Sequence, residues 1–240
     1  MRWWSPRGAV LAVAVLAPLA TAAAASAPDA PPSRTVPHAR AAWLSCGDLA
    51  FRPAALRRPR GFERRRGALP RALRRFLRRS ADAVAQPRSG WFLLARRRGM
   101  AEVAAGRLPE LGHMTFRRED GRWRWFNSGS CFPRTRHAGL DAVTWRRRQR
   151  REPPPADATR IPVLVQEDEC ASGRDARGRI LPPLVHYGRR TVTVTYFVRP
   201  RSGAQNCQGV PPTPATLVLD EPLGGRSLRD GGPYPPRRRR

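Results

Sequence analysis

The chain contains no lysine. All 46 of its bases are arginine, set against only 18 acids, for a net charge of +28 over 240 residues. A surface so short of acid attracts polyanions and repels basic partners. Long apolar runs are equally scarce. Only the stretch from Gly8 to Ala25 approaches the ~20 residues that cross a bilayer, which excludes a multi-span membrane protein. No internal repeat occurs, so collagen-like and coiled-coil architectures are excluded. Cys46, Cys131, Cys170 and Cys207 lie 85, 39 and 37 residues apart, and His38, His113, His137 and His186 are scattered. Neither set has the close pair that nucleates a zinc site, so no metal is implied. The chain also lacks Gly-x-Ser-x-Gly, Gly-x-Gly-x-x-Gly and Gly-Lys-Ser/Thr, and no cofactor is implied.

What is present begins with an export signal. Met1–Arg7 is basic, Gly8–Leu19 is apolar, and Thr21–Ala25 offers small residues for cleavage after Ala25. The alternative is a single N-terminal membrane anchor, against which Pro18 and the shortness of residues 8–25 both count. Residues 26–39 read as a flexible leader rich in Ala, Pro and Ser. The protein is therefore expected to be secreted or associated with the cell envelope. An even number of cysteines in an exported chain implies two disulfides. Of the three possible pairings, Cys46–Cys131 and Cys170–Cys207 are favoured, because a boundary falls between the pairs.

Charge marks that boundary. Residues 1–156 carry net +22, residues 157–236 only +2, and the tail 237–240 adds +4. The two regimes meet at residues 146–157, where an arginine run precedes Pro153-Pro154-Pro155 and reads as a linker. The expected architecture is an α+β N-terminal module over 40–145, one amphipathic helix plus antiparallel strands, followed by a small all-β antiparallel module over 158–236.

In the first module Leu69, Ala72, Leu73, Phe76, Leu77 and Val84 fall at helical spacing, and Arg71, Arg74, Arg75, Arg78 and Arg79 take the opposite face. This helix could lie on anionic lipid. The competing reading is a surface helix that buries its stripe on its own sheet. Strands are expected at Trp91–Ala95, Met100–Ala105, Met114–Arg118, Trp123–Phe126 and Leu140–Trp145. A turn at Asp120-Gly121 sets Glu119 opposite Arg122, Arg118 opposite Trp123 and Phe116 opposite Trp125. Met114, Phe116, Trp123 and Trp125 then share the core face. Arg117 opposes Arg124, at a cost of a few tenths of a kcal/mol, about 0.2 to 1, unless an acid intervenes.

In the second module Ile161, Val163 and Val165 alternate. Leu184–Tyr187 and Thr191–Val198 flank Gly188-Arg189, which suits a type II′ hairpin, and Thr216–Leu219 supplies a fourth strand. Val192, Val194, Tyr196 and Val198 form one face. A bridge closing the 170–207 loop contributes roughly 4 kcal/mol in the loop-entropy picture.

The elements Glu169-Cys170-Ala171-Ser172-Gly173, Asn206-Cys207-Gln208-Gly209, Asp220-Glu221-Pro222-Leu223-Gly224 and Asp230-Gly231-Gly232 occur in that order. This pattern resembles a group of uncharacterised secreted proteins from high-GC bacteria. Ser45-Cys46-Gly47-Asp48 and Gly129-Ser130-Cys131 resemble its front half. The resemblance implies location and fold and carries no activity. High-GC codons also favour arginine over lysine.

Two functional classes follow. Residues 57–79 hold 11 arginines and one acid, and arginine forks bind phosphate and carboxylate bidentately. The partners expected for a polyanion-binding protein are an anionic envelope polymer or lipid headgroups; nucleic acid is disfavoured in an exported protein. The oligomeric state is not specified by any feature. The alternative is an extracellular hydrolase in which Glu167, Asp168 and Glu169 join Asp175, Asp220, Glu221 or Asp230 as paired carboxylates. Calcium binding by the same acids lacks the Asp-x-Asp-x-Asp-Gly loop. The bland reading pairs them with Arg174, Arg177, Arg179, Arg226 or Arg229. His186 reads as a packed or rim histidine.

Overall fold

The computed structural model describes residues 43–83, 86–149 and 152–238, together with the backbone of Arg34–Thr35. The segments expected to be a signal peptide and, for the most part, a leader, together with Val84 and the last two arginines, lie outside the described residues. In chain order the strands are β1 (Arg34–Thr35), β2 (Trp43–Ser45), β3 (Ala50–Phe51), β4 (Phe92–Arg97), β5 (Met100–Arg107), β6 (Glu110–Glu119), β7 (Arg122–Cys131) and β8 (Arg134–His137). They continue with β9 (Leu140–Arg147), β10 (Arg160–Gln166), β11 (Leu184–Tyr187), β12 (Thr191–Phe197), β13 (Thr213–Val218), β14 (Ser227–Asp230) and β15 (Arg237–Arg238). The single α-helix among the described residues is α1 (Ala68–Arg79).

The expected pairing of an α+β module with a separate small β module is corrected here. The described residues are mostly β, with one α-helix and two sheets. One sheet is a four-stranded meander, β4-β5-β6-β7. The other runs β1-β11-β12-β9-β8-β2-β3, with β10 and β13 branching from β9, and β14 and β15 from β12. The physical reason lies in where strand edges find partners. β2, β8 and β9 leave their helix-bearing neighbours and complete a sheet with strands far along the chain. That sheet is not purely antiparallel, since β12 pairs β14 in parallel and β1 pairs β11 in parallel.

β9 is the hub. Ala142 and Val143 pair with Phe197 and Tyr196 of β12, while Thr144–Arg147 pair with Gln166–Val163 of β10. Ladder hydrogen bonds therefore connect strands before and after Pro153-Pro154-Pro155, and Arg146 and Arg147 of the Arg/Pro segment themselves belong to β9. Val143 and Trp145 pack in one cluster with Val163, Val165, Val185, Val192, Val194, Tyr196 and Leu217. The alternations expected along β10 and β12 hold, with Ile161, Val163, Val165, Val192, Val194, Tyr196 and Val198 all buried. The β11–β12 hairpin differs by one position. Tyr187 pairs with Val192, which puts Arg189-Arg190 at the turn, and the Gly188 N–H donates to the Thr191 carbonyl at 2.8 Å.

In the meander, the Asp120-Gly121 turn and its register are as the hairpin rule sets them, down to Phe116 opposite Trp125. Both turn residues have positive φ, the requirement of a type I′ turn. A bulge at Thr115/Phe116 then shifts the pairing. Met114, Phe116 and Trp123 are buried, whereas Trp125 is exposed and stacks on Phe76 of α1 at 4.9 Å. Arg117 does face Arg124, and an acid answers each: Asp48 lies 3.8 Å from Arg117 and Glu119 3.4 Å from Arg124. The helix covers one face of this sheet. Leu69, Ala72, Leu73, Phe76 and Leu77 are buried with Ala101, Val103, Ala105, Met114 and Phe116. The opposite face packs Phe92, Leu94, Ala104 and Leu111 against Leu44, Leu49 and Phe51, where the two sheets meet.

Candidate functional site

Both expected disulfides are present. Cys46–Cys131 ties the end of β2 to the end of β7 with Cα atoms 5.4 Å apart, and Cys170–Cys207 joins two C-terminal loops at 4.4 Å. Around the second bridge the Ser172 N–H donates to the Asn206 carbonyl at 3.1 Å, and the Asn206 N–H donates to Ser172 Oγ at 3.2 Å. The Cys170–Gly173 and Asn206–Gly209 elements thus staple one loop pair.

The acids of the C-terminal loops are engaged in the fold. Glu167 is buried, and Arg179 clasps both its carboxylate oxygens, with Nη1 at 2.7 Å from Oε1. The same pairing keeps the Arg179 guanidinium charged by raising its pKa. Asp168 pairs with Arg134 of β8 at 2.5 Å, Asp175 with Arg177 at 3.3 Å, and Glu221 with Arg226 at 2.5 Å. The Asp220 N–H donates to the Tyr187 hydroxyl at 2.8 Å. Asp230 is fully buried; its Oδ1 accepts the Gly232 N–H at 2.8 Å and its Oδ2 the Trp145 N–H at 3.3 Å. Gly231 and Gly232 are required there by space. A Cβ on Gly232 would lie 2.6 Å from the Val143 carbonyl oxygen, and one on Gly231 2.2 Å from Thr195 Oγ1. Asp230-Gly231-Gly232 is thus a knot binding β14 to β12, β9 and β8. Glu169 is exposed and lines a polar cleft of about 290 Å³ with Ser45, Arg134, Asp141 and Asp168 beside the Cys46–Cys131 bridge. Among the described residues no three His, Cys, Asp or Glu side chains group as a metal site.

The arginines are arranged otherwise. Along α1, Arg71, Arg75, Arg78 and Arg79 are exposed, and none forms an ion pair among the described residues. Arg74 is half-buried and is spent on structure, donating to the Glu63 and Arg65 carbonyls. With the apolar stripe buried on its own sheet, α1 presents charge and not hydrocarbon. No helix among the described residues is long and apolar enough to cross a membrane.

Some residues of note have no motif in the sequence. Glu102 and His113 face each other at 3.5 Å inside the meander, and Glu102 Oε1 accepts the Leu49 N–H at 2.9 Å. A charged residue within the apolar run Met100–Ala105 was a visible sign that β5 carries a buried polar contact. Glu63 likewise accepts the N–H of Trp91 at 3.1 Å. Asp141 accepts from Ser45 Oγ at 2.6 Å and lies 3.4 Å from Arg136, a contact that only the β2–β8–β9 pairing brings about.

No protein-family model, curated protein or solved structure matches the chain, so its own residues carry the functional argument.

Proposed function

We propose that this is an exported, non-catalytic binding protein held at the cell envelope by charge, with an anionic envelope polymer or lipid headgroups as partner. The observation that carries the reading is the helix face of Arg71, Arg75, Arg78 and Arg79, exposed and without a carboxylate partner among the described residues. Guanidinium forks without internal acids exchange bound counterions for polymer charges at little structural cost. The basic, apolar and small-residue order of residues 1–25 supports export, and the two disulfides fit an oxidising compartment. The engagement of Glu167, Asp168 and Asp230 in structural contacts favours binding over a paired-carboxylate hydrolase.

The test is retention of the mature protein on immobilised polyanion as salt is raised. Replacing Arg71, Arg75, Arg78 and Arg79 with Gln is expected to bring elution to lower salt. The slope of log affinity against log salt should fall by roughly 3, at about 0.7 to 0.9 for each lost contact. Arg74 is left in place because it braces the Glu63–Arg65 turn. Unchanged elution of a folded variant would overturn the reading.

A further inference from the structure

Away from α1, the far end of the meander gathers a second set of arginines. A cleft of about 360 Å³ is lined by Arg96, Arg97, Arg98, Gly99, Arg118 and Trp123. The local structure dictates this convergence. Arg96 and Arg97 end β4 opposite Ala101 and Met100, and Arg98-Gly99 forms the turn into β5, with Gly99 at φ +76°. The Arg118 N–H donates to the Gly99 carbonyl at 2.8 Å, fastening β6 to that turn, and Arg118 pairs in register with Trp123 of β7. Two strands, β4 and β6, and the turn between β4 and β5 therefore deliver arginines to one sheet end, and β7 adds Trp123. Successive in-register neighbours share a face, so Arg96, Arg118 and Trp123 lie on the side that carries α1.

The four guanidinium groups are exposed, and none forms an ion pair among the described residues. The nearby acid Glu119 is turned to Arg124 at 3.4 Å. Two of the arginines are oriented. Arg96 lies over the Trp123 ring at 5.3 Å, and Arg118 Nε donates to the Gly121 carbonyl at 3.2 Å, leaving its terminal nitrogens for a ligand. Trp123 itself is buried and forms a rigid wall. Like charges held together by backbone pairing repel one another, and a multiply charged anion relieves that repulsion. Guanidinium forks match tetrahedral oxyanions bidentately, and the cleft has room for such a group with its flanking carbon chain.

We propose that the cleft of Arg96, Arg97, Arg98 and Arg118 is a phosphodiester subsite, taking one phosphate and its neighbours from a polyol-phosphate polymer. This deepens the polyanion reading by naming the ligand class, and the test separates the two. The mature protein is passed over matrices bearing poly(glycerol phosphate) and polyglutamate at matched charge density. Wild type is expected to hold to higher salt on the phosphodiester. Replacing Arg96, Arg98 and Arg118 with Gln should abolish that preference and lower the salt slope on the phosphodiester by about 2 to 3. The four-arginine α1 variant should weaken both matrices and keep the preference. Should the triple Gln variant fail to fold, the triple Lys variant keeps charge but loses the fork, and its preference should fall as well. Failure of wild type to bind either matrix would overturn the envelope reading as a whole. Binding to both with no preference, a preference that survives the folded triple variant (the triple Lys variant where Gln does not fold), or equal competition by free inorganic phosphate at matched charge and ionic strength would overturn only the phosphodiester subsite.

Discussion

Along the C-terminal strands arginine closes on acid: Arg179 on Glu167, Arg226 on Glu221, Arg177 on Asp175, and Arg134 of β8 on Asp168. On the outer face of α1 and around the β4–β5 turn, arginines stand exposed with no such partner among the described residues. The same side chain is glue in one region and presented charge in the other. The difference follows from the supply of acid, eight carboxylates against ten arginines over residues 157–236 and ten against 32 before them. It also follows from burial. A buried carboxylate such as Glu167 must be neutralised locally, whereas an exposed guanidinium needs only water.

The comparison can be broken first at the segment between the two regions. A fragment of residues 158–238 lacks β9, and with it Trp145, which is buried at 1 % exposure and donates its indole N–H to the Val194 carbonyl at 2.9 Å. This fragment is expected to lose its fold, while an oxidised fragment of residues 133–238 keeps a strand spectrum by circular dichroism. Folding of the shorter fragment would show that the boundary at 146–157 is a true domain edge.

Next in size is the glue itself. Arg179→Ala leaves Glu167 buried and unpaired, and should cost about 3 to 5 kcal/mol in urea denaturation. The double variant Arg179→Met with Glu167→Gln should recover much of that loss. A cost below that of an ordinary surface substitution would mean that water reaches Glu167.

Leu73→Ala tests the other region, because Leu73 is fully buried beneath α1. A loss of about 2 to 5 kcal/mol is expected, while the Arg71, Arg75, Arg78 and Arg79 quartet should leave the melting temperature unmoved. The reverse pattern would mean that α1 turns its leucines to lipid.

The smallest effect concerns Tyr196. Burial pushes its phenol far above the ordinary range, and the hydroxyl finds no hydrogen-bond partner among the described residues. The folded state therefore holds this proton more tightly than the unfolded chain. Its contribution is intact below the unfolded phenol value of about 10 and is lost as pH climbs beyond it. Tyr196→Phe is expected to be neutral or slightly stabilising at pH 7 and to reduce the alkaline loss of stability measured between pH 9 and 11.

Local chemistry made much of the meander legible. The Asp120-Gly121 turn sets the register of β6 and β7, and the helical spacing of Leu69 to Leu77 marks the buried face of α1. Both signals act between residues close in the chain. The β11–β12 turn lies one position later than expected, and the strand pairing two residues further on, because Gly188 invites a turn that Arg189-Arg190 takes instead. What holds it is the burial of Val192, Val194 and Tyr196 against β9 and β10, a condition that no turn motif expresses.

From the sequence alone came the excess of guanidinium charge, the alternating faces of β10 and β12 and a preference for the cysteine pairing that the fold adopts, because these depend on charge count, a two-residue period and chain order. Only the tertiary structure decided that β9 serves the C-terminal core, that Asp230-Gly231-Gly232 is a structural knot and that Arg96, Arg98 and Arg118 meet at one sheet end. The physical reason is that a strand's edges are satisfied by whichever backbone completes the ladder with its apolar face covered. That choice is made among residues tens of positions apart.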